Sequence, residues 1–516
     1  MAALDRWEPE NPEFWEATGK GIARRNLWIS IPCLLLAFAV WMFWSIIVVQ
    51  MQNLKFPFTQ PQLYFLPAVA GLVGATLRIP NSFMISLCNG RNAIAVSTAL
   101  LLVPAIGVGI ALRSRETPYW IFVVLAGTSG VGGGNFASSM SNISFFYPKK
   151  VQGAALGLNA GLGNLGGSLM QFLVPWAMTL GMFGALGGAA LVLPEAVGPK
   201  PAGTEVFIQN AGLFWVPVLL VLSAASWFGM SNLPIHAGGP AIINVAKILW
   251  LTLLGFLAGG IGVYLLMVLD FPGKIWAVLP VTILLTLAFM RFLTPGAMKA
   301  NLQKQFGIFK NKHNWVMTIL YVMTFGSFIG YSAAFPKLIQ DVFGKLPGGG
   351  VNPNAPNPLY FAFLGPLVGS LVRPVGGWIS DKLGGARVTQ WNTVVMIVAA
   401  FGTAYYVKAA GQADTPETYF IPFLVLFLLL FITTGIGNGS TFRMIPIIFQ
   451  PAQAGPVLGW TSAVAAYGAC VIPIIFGDQI KNKTPEYALY GFGAYYAVCL
   501  VLNWWYYARK NAEIAC

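Results

Sequence analysis

The sequence predicts an all-α polytopic membrane protein: two six-helix halves plus an inserted two-helix hairpin, about fourteen spans in all. Three observations lead there. The 516 residues are 57% hydrophobic and only 9% charged, with a mean hydropathy of +0.70, the composition of a chain that crosses a bilayer many times. Apolar runs long enough to span recur along its length. A pattern in the first half also returns in the second: Leu72-Val-Gly-Ala-Thr-Leu-Arg78-Ile-Pro80 is matched by Leu367-Val-Gly-Ser-Leu-Val-Arg373-Pro-Val.

Residues 1–26 read as a cytosolic arm, because Asp5, Glu8, Glu10, Glu13 and Glu16 precede the first apolar run and do not fit a secretory signal. The first span, from about Leu27 to Gln50, follows Arg24 and Arg25, a basic pair that keeps the N-terminus inside. Spans at roughly 62–87, 93–112, 119–146, 152–180 and 211–230 complete the N-terminal half, 27–230. Its Gly/Pro-rich stretch 181–210 suits an external loop. Within 231–313, two apolar runs at about 242–269 and 275–293 are broken by Asp270, Pro272 and Gly273 and followed by Lys299, Lys304, Lys310 and Lys312. This inserted hairpin and basic cytosolic linker leave the second half in the orientation of the first. The C-terminal half, 314–508, carries spans at roughly 314–340, 358–380, 387–410, 418–448, 456–476 and 487–508, and 509–516 is a cytosolic tail. Arg91, Lys149, Lys150, Lys382, Arg387, Arg509 and Lys510 gather in short loops expected inside, whereas outer loops are mixed or acidic, as at Asp414 and Glu417.

The repeat extends past the arginines. Gly132, Gly134, Asn135, Phe146 and Pro148 match Gly435, Gly437, Asn438, Phe449 and Pro451, and Gly153, Leu156 and Gly157 match Gly455, Leu458 and Gly459. Matched blocks in the same order indicate homologous halves in parallel, the major facilitator architecture, with substrate near the midplane between halves. Gly377-Trp-Ile-Ser-Asp381-Lys-Leu-Gly-Gly-Ala-Arg387 resembles the loop motif of that superfamily.

Arg78 and Arg373 are the leading site candidates. A charge at mid-bilayer costs about 2.5–3.5 kcal/mol on insertion scales and is normally retained for a function. All sixteen acidic residues fall in tails, loops or at helix ends by this reading, so neither arginine has an evident protein counter-ion. A guanidinium fork suits a planar oxyanion. Missing buried carboxylates also remove the usual proton relay, and two unneutralised arginines favour the anion-bound carrier, which points to exchange of one anion for another. Asn164 is an amide in an apolar helix and could donate to that anion. Its counterpart by repeat is Ala466, with Ser462 one turn away. Gly153, Gly157 and Gly161 form a small-residue face for close helix contact, and the apparent GxGxxG at Gly161, Gly163 and Gly166 has no strand before it. Phe136, Phe325, Tyr321 and Phe38 read first as core aromatics. Arg443, near an inner helix end, reads as a snorkelling side chain.

Several classes are disfavoured. The net charge of +14 gathers in short loops and forms no nucleic-acid stripe. Cys33, Cys88, Cys470, Cys499 and Cys516 are scattered without CxxC spacing, and His236 and His313 fall in loops far apart, so no metal site or cofactor is expected. A channel needs a continuous polar pore, an enzyme a nucleophile and base or a metal set, and a receptor a soluble output domain.

Trp7-Glu-Pro-Glu-Asn-Pro-Glu-Phe-Trp15, Arg25 to Trp41, Asn135-Phe-Ala-Ser-Ser-Met-Ser-Asn-Ile-Ser-Phe-Phe146 and the run Gly161-Leu-Gly-Asn-Leu-Gly-Gly167 resemble the bacterial NarK-type nitrate/nitrite porters across both halves, with the hairpin 242–293 outside the family's usual twelve-helix plan. The resemblance implies alternating-access transport of nitrate and nitrite in the inner membrane, by a monomer bathed in lipid. It implies that Arg78 and Arg373 hold the anion, that Phe136 and Phe325 wall it with Phe38 and Tyr321 nearby, and that Asn164 and the Ser462 hydroxyl touch it. Proton symport of nitrate is the alternative within transporters. The chain departs from the pattern at Ser462-Ala-Val-Ala-Ala-Tyr-Gly468, which has fewer glycines, and in the short loop from Gln450 to Pro456.

Overall fold

Hydrocarbon offers no partner for backbone N–H and C=O groups, so a spanning chain must close its own hydrogen bonds, and helices do so within each segment. The computed structural model describes residues 4–197, 200–234, 239–296, 299 and 306–516, and His236 and Lys304 lie outside them. Among the described residues, twelve helices are long and apolar enough to cross a bilayer. With two more in the expected fifth and last places, the helices are α1 (Pro12–Asn53), α2 (Gln60–Cys88), α3 (Gly90–Ala111), α4 (Tyr119–Phe146), α5 (Lys149–Ala177), α6 (Asn210–Gly229), α7 (Ala241–Val268) and α8 (Ile275–Phe292). The second half continues with α9 (Lys312–Phe343), α10 (Pro358–Leu383), α11 (Gly385–Gln412), α12 (Pro416–Ile448), α13 (Val457–Lys481) and α14 (Glu486–Asn503). Among the described residues the only sheet is one antiparallel pair, β1 (Leu191–Val192) with β2 (Glu205–Val206), in the 181–210 loop.

The first helix begins well before its apolar run. Asn11 caps it by accepting from the N–H groups of Glu13 and Phe14. The arm is held to the bundle by Trp7, which is buried, donates Nε1–H to the Phe145 carbonyl at 2.9 Å and packs edge-on to Phe146. His313, expected in a loop, stands in the first turn of α9, bonded through Nδ1 to the Tyr507 hydroxyl at 3.0 Å.

Each half is built on one glycine-mediated crossing. In the first, α2 crosses α4: a Cβ at Gly130 would stand 2.7 Å from Gly74 N, and one at Gly133 2.8 Å from the Gly74 Cα. In the second, α10 crosses α12 the same way, with Gly369 packed on the Phe431 carbonyl. The inserted α7 lies along α2, its Gly255 and Gly259 against Leu77 and Val73, while Ile261, Tyr264, Met267 and Trp276 on the hairpin's far side are exposed. The hairpin thus covers one flank of the helix that carries Arg78. Between halves, α2 packs on α13, α5 on α10 and α1 on α9.

The small-residue face expected at Gly153, Gly157 and Gly161 is not where the close approach occurs. No described atom lies within 4 Å of a Cβ at Gly157 or Gly161, whereas Gly163 meets Leu34 at 2.6 Å and Gly166 meets the Leu35 backbone and Phe38 Cβ. The α5 contact with α1 therefore uses the second part of the glycine run, where Asn164 is buried between Gly163 and Gly166. The side chain of Gly153's segment lies outside the described positions. Gly133→Val is expected to lower the thermal unfolding midpoint, at about 1–3 kcal/mol for forced overpacking, while Gly157→Ala leaves it unchanged; intrinsic tryptophan fluorescence on purified protein reads both.

Candidate functional site

Arg78 lies in α2 with no exposed surface, and Arg373 in α10 is nearly as buried. A charge so placed must be satisfied by what surrounds it. Arg78 Nε donates to the Gly133 carbonyl at 2.8 Å, which only the close α2–α4 crossing brings into reach, and Nη1 donates across the halves to the Ser462 carbonyl at 3.2 Å. Its Cζ lies 4.8 and 4.9 Å from the ring centres of Phe136 and Phe325 and 5.4 Å from that of Trp41. Cation–π contacts of this kind stabilise by ~0.5–2 kcal/mol each, more when desolvated, enough together to offset the insertion cost of one charge.

Arg373 has fewer partners. Its Nη2 donates to the Tyr321 hydroxyl at 3.2 Å, and its Cζ lies 5.0 Å from the Phe442 ring. Among the described residues no carboxylate pairs with either arginine. Each retains one buried nitrogen without an acceptor, Nη2 of Arg78 and Nη1 of Arg373. The two like charges lie against one aromatic stack, Arg78 over Phe325 and Arg373 bonded to Tyr321, whose rings are 5.5 Å apart. The arrangement can therefore accept a small anion, whose oxygens would take N–H donors from both free nitrogens and offset the like charges.

The aromatic residues form a continuous wall. Phe136 and Phe325 stack at 6.1 Å and 27°, Tyr321 stacks on Phe325 at 5.5 Å and 6°, and Phe38 meets Phe136 edge-on at 6.1 Å. A π-helical turn over Val322–Gly326 carries Phe325 and follows directly on Tyr321; such turns insert one extra residue and re-aim side chains, often at functional sites. Gly330 and Gly468 let α13 come against this part of α9, so the single glycine at 468 supplies the close contact that the glycine-poor stretch before it does not.

Asn164 is buried with its Oδ1 unpartnered. The Ser462 Oγ donates to the Gly459 carbonyl within its own helix at 3.0 Å, and its backbone carbonyl meets Arg78. Residues that the sequence reading passed over complete the surroundings. Trp41 lies against Arg78 and donates Nε1–H to the Ala70 carbonyl at 2.7 Å, Phe442 backs Arg373, and the Tyr467 hydroxyl bonds Thr76 Oγ1 across the halves at 2.9 Å. Gly74 was the signal for Trp41, since that indole occupies the space a side chain at 74 would fill. Arg443 does not snorkel alone; it pairs with Asp381 of the Gly377–Arg387 loop motif.

Comparison with known proteins decides the family. The chain is 38% identical over 513 residues, 99% of its length and 97% of the relative's, to a probable nitrate/nitrite antiporter, NarK2, of Thermus thermophilus. It is 36% identical to the nitrate/nitrite transporter NarU of Escherichia coli K12, covering 98% of this chain and 96% of that one. The chain belongs to the NarK-type nitrate/nitrite porter family. No family model matches it. Solved structures agree on the major facilitator fold: a bacterial homologue of human drug peptide transporters aligns with TM-score 0.59 at 15% identity over 93% of this chain and 97% of that one, and a bacterial homologue of the lysosomal transporter Spinster with 0.59 at 12% over 94% and 96%. At these identities the likeness is one of fold. Within this NarK-type porter, Tyr321→Phe is expected to cost about 0.5–1.5 kcal/mol by removing one hydrogen bond to Arg373 while keeping the ring stack. Tyr321→Leu should cost more, and equal thermal midpoints for the two would show that the stack contributes nothing.

Proposed function

We propose that this protein exchanges nitrate for nitrite across the bacterial cytoplasmic membrane by alternating access, with the anion clamped between Arg78 and Arg373. One observation carries the reading: two buried guanidinium groups from equivalent helices of the two halves each keep an unpaired N–H, in a space without a protein counter-ion among the described residues. The names of the relatives, nitrate/nitrite antiporter and transporter, support the same substrates. A monovalent oxyanion at 4 Å from a guanidinium gains ~4 kcal/mol at an effective dielectric of 20, and one held between two guanidiniums gains this from both while relieving the repulsion of the two facing charges.

On this reading Phe136 and Phe325 wall the ion. A planar ion between two rings at carbon contact distance needs the ring centres about 7 Å apart, and here they are 6.1 Å apart, so binding parts them by roughly 1 Å. Phe38 and Tyr321 back the two rings, Asn164 supplies an amide, and Ser462 contributes through its carbonyl grip on Arg78 as well as its nearby hydroxyl. The N-terminal half 27–230, the hairpin segment 231–313 and the C-terminal half 314–508 act as the working units in a monomer, with the chain ends in the cytosol beside the basic loops.

The empty carrier would bring two like charges together, and its reorientation is therefore slow, which makes exchange the favoured cycle. In proteoliposomes, labelled nitrate is expected to enter vesicles preloaded with nitrite or nitrate, irrespective of a pH gradient, and to enter empty vesicles hardly at all. Proton-driven uptake into empty vesicles would identify a symporter instead. The clamp has its own test, since a ligand at 100 times its Kd stabilises by about 2.7 kcal/mol: nitrate should raise the thermal midpoint of the parent protein and not that of Arg373→Gln. An undiminished shift in that variant would place the anion elsewhere.

A further inference from the structure

Apart from the arginines, one buried charge cluster is unaccounted for. Lys337 and Asp341 lie one turn apart in α9, both side chains 1% exposed, with Nζ 2.6 and 2.5 Å from the two carboxylate oxygens. The sequence places Asp341 just beyond a span; the structure puts it inside the helix, against the other half of the molecule. Lys337 Nζ also donates to Gln60 Oε1 at the start of α2, and it lies 5.2 Å from the Tyr64 ring centre.

The same face of α9 meets the first half at neighbouring positions. Gln340 Nε2 donates to Asn53 Oδ1 at 2.6 Å, and the Ser332 carbonyl accepts from Gln171 Nε2 at 2.9 Å. Nearby, Ser168 Oγ donates to the Phe363 carbonyl at 2.9 Å, and Phe172 packs edge-on to Phe363. These contacts all join opposite halves at the end of the bundle remote from Lys312, the end that is outermost if the basic linker is cytosolic.

We infer that Lys337 and Asp341 form the outer latch of the transport cycle, a neutral ion pair carried by one helix and docked on the Gln60 amide of the other half. The inference rests on alternating access but not on the identity of the anion. Its physical logic lies in which bonds break. Both charges belong to α9, so parting the halves never separates them; only the amide contact to Gln60 and its polar neighbours is lost. An ion pair split between the halves would have to be broken at every opening, a cost that a pair carried on one helix avoids. A lone Lys337 or Asp341 would leave an uncompensated charge in the closed seam and hold it open. The pair makes closure dry and reversible.

The test needs no anion, so it stands or falls separately from nitrate exchange. The full chain carrying Ser332→Cys, a buried position in the seal, is reconstituted in vesicles and labelled from outside with a membrane-impermeant maleimide. The same chain without that cysteine provides the background from the native thiols. Lys337→Met and Asp341→Asn are each expected to speed labelling about ten-fold or more, as an unpaired buried charge opposes closure. The double variant Lys337→Met/Asp341→Leu should return to within about two-fold of the parent, because an apolar pair of similar volume packs without that penalty. Gln60→Leu, which leaves the ion pair whole, should also speed labelling and serves if a single-charge variant does not fold. Parent rates in Gln60→Leu and the single variants, or a double variant as fast as the faster single one, would overturn the latch.

Discussion

Everything in this bundle is arranged around two positive charges that have no negative partner of their own. A buried guanidinium is tolerable only if its N–H groups find acceptors and its charge finds polarisable surroundings. For Arg78 those come from the Gly133 and Ser462 carbonyls and three aromatic faces; for Arg373, from the Tyr321 hydroxyl and Phe442. The unpartnered Nη on each is the feature on which the proposed anion clamp rests. Because Ser462 belongs to the opposite half from Arg78, the grip on the charge is also a grip between halves.

That constraint explains the glycines. A carbonyl of α4 reaches Arg78 only because Gly74, Gly130 and Gly133 let two helices approach backbone to backbone. The equivalent crossing of α10 and α12 at Gly369 sets Arg373 at the matching depth in the second half. The π-helical turn in α9 has a companion role, turning Phe325 toward Phe136 while Tyr321 remains under Arg373. The inserted α7 packs along the flank of α2, the helix on which all of this depends.

The places where sequence reasoning missed are instructive because each is a matter of what faces what. Asp341 does stand at a helix end and Arg443 is exposed near one, but the sequence did not show that each has an ionic partner, Lys337 and Asp381. Gly157 and Gly161 shared the spacing of a packing face but meet no described neighbour, while Gly163 and Gly166 do the packing. Spacing along a helix says which residues share a face and is silent on whether another helix lies there. At Ser462 the structure adds a contact that spacing could not show, the backbone carbonyl accepting from Arg78 across the halves.

By itself the sequence determined the all-helical membrane class, the approximate extent of each span, the internal duplication and the two arginines, because hydropathy, helix length and repeat matching are local properties of the chain. It also carried the family resemblance through its motifs. Only the tertiary structure decided that Trp41, Phe442 and Tyr467 surround the arginines, that each guanidinium keeps one buried nitrogen without an acceptor, and that Lys337 pairs with Asp341 while donating to Gln60 of the other half. Those facts depend on the crossing of helices far apart in sequence, and the distance between a donor and its acceptor across two halves is written in no single stretch of the chain.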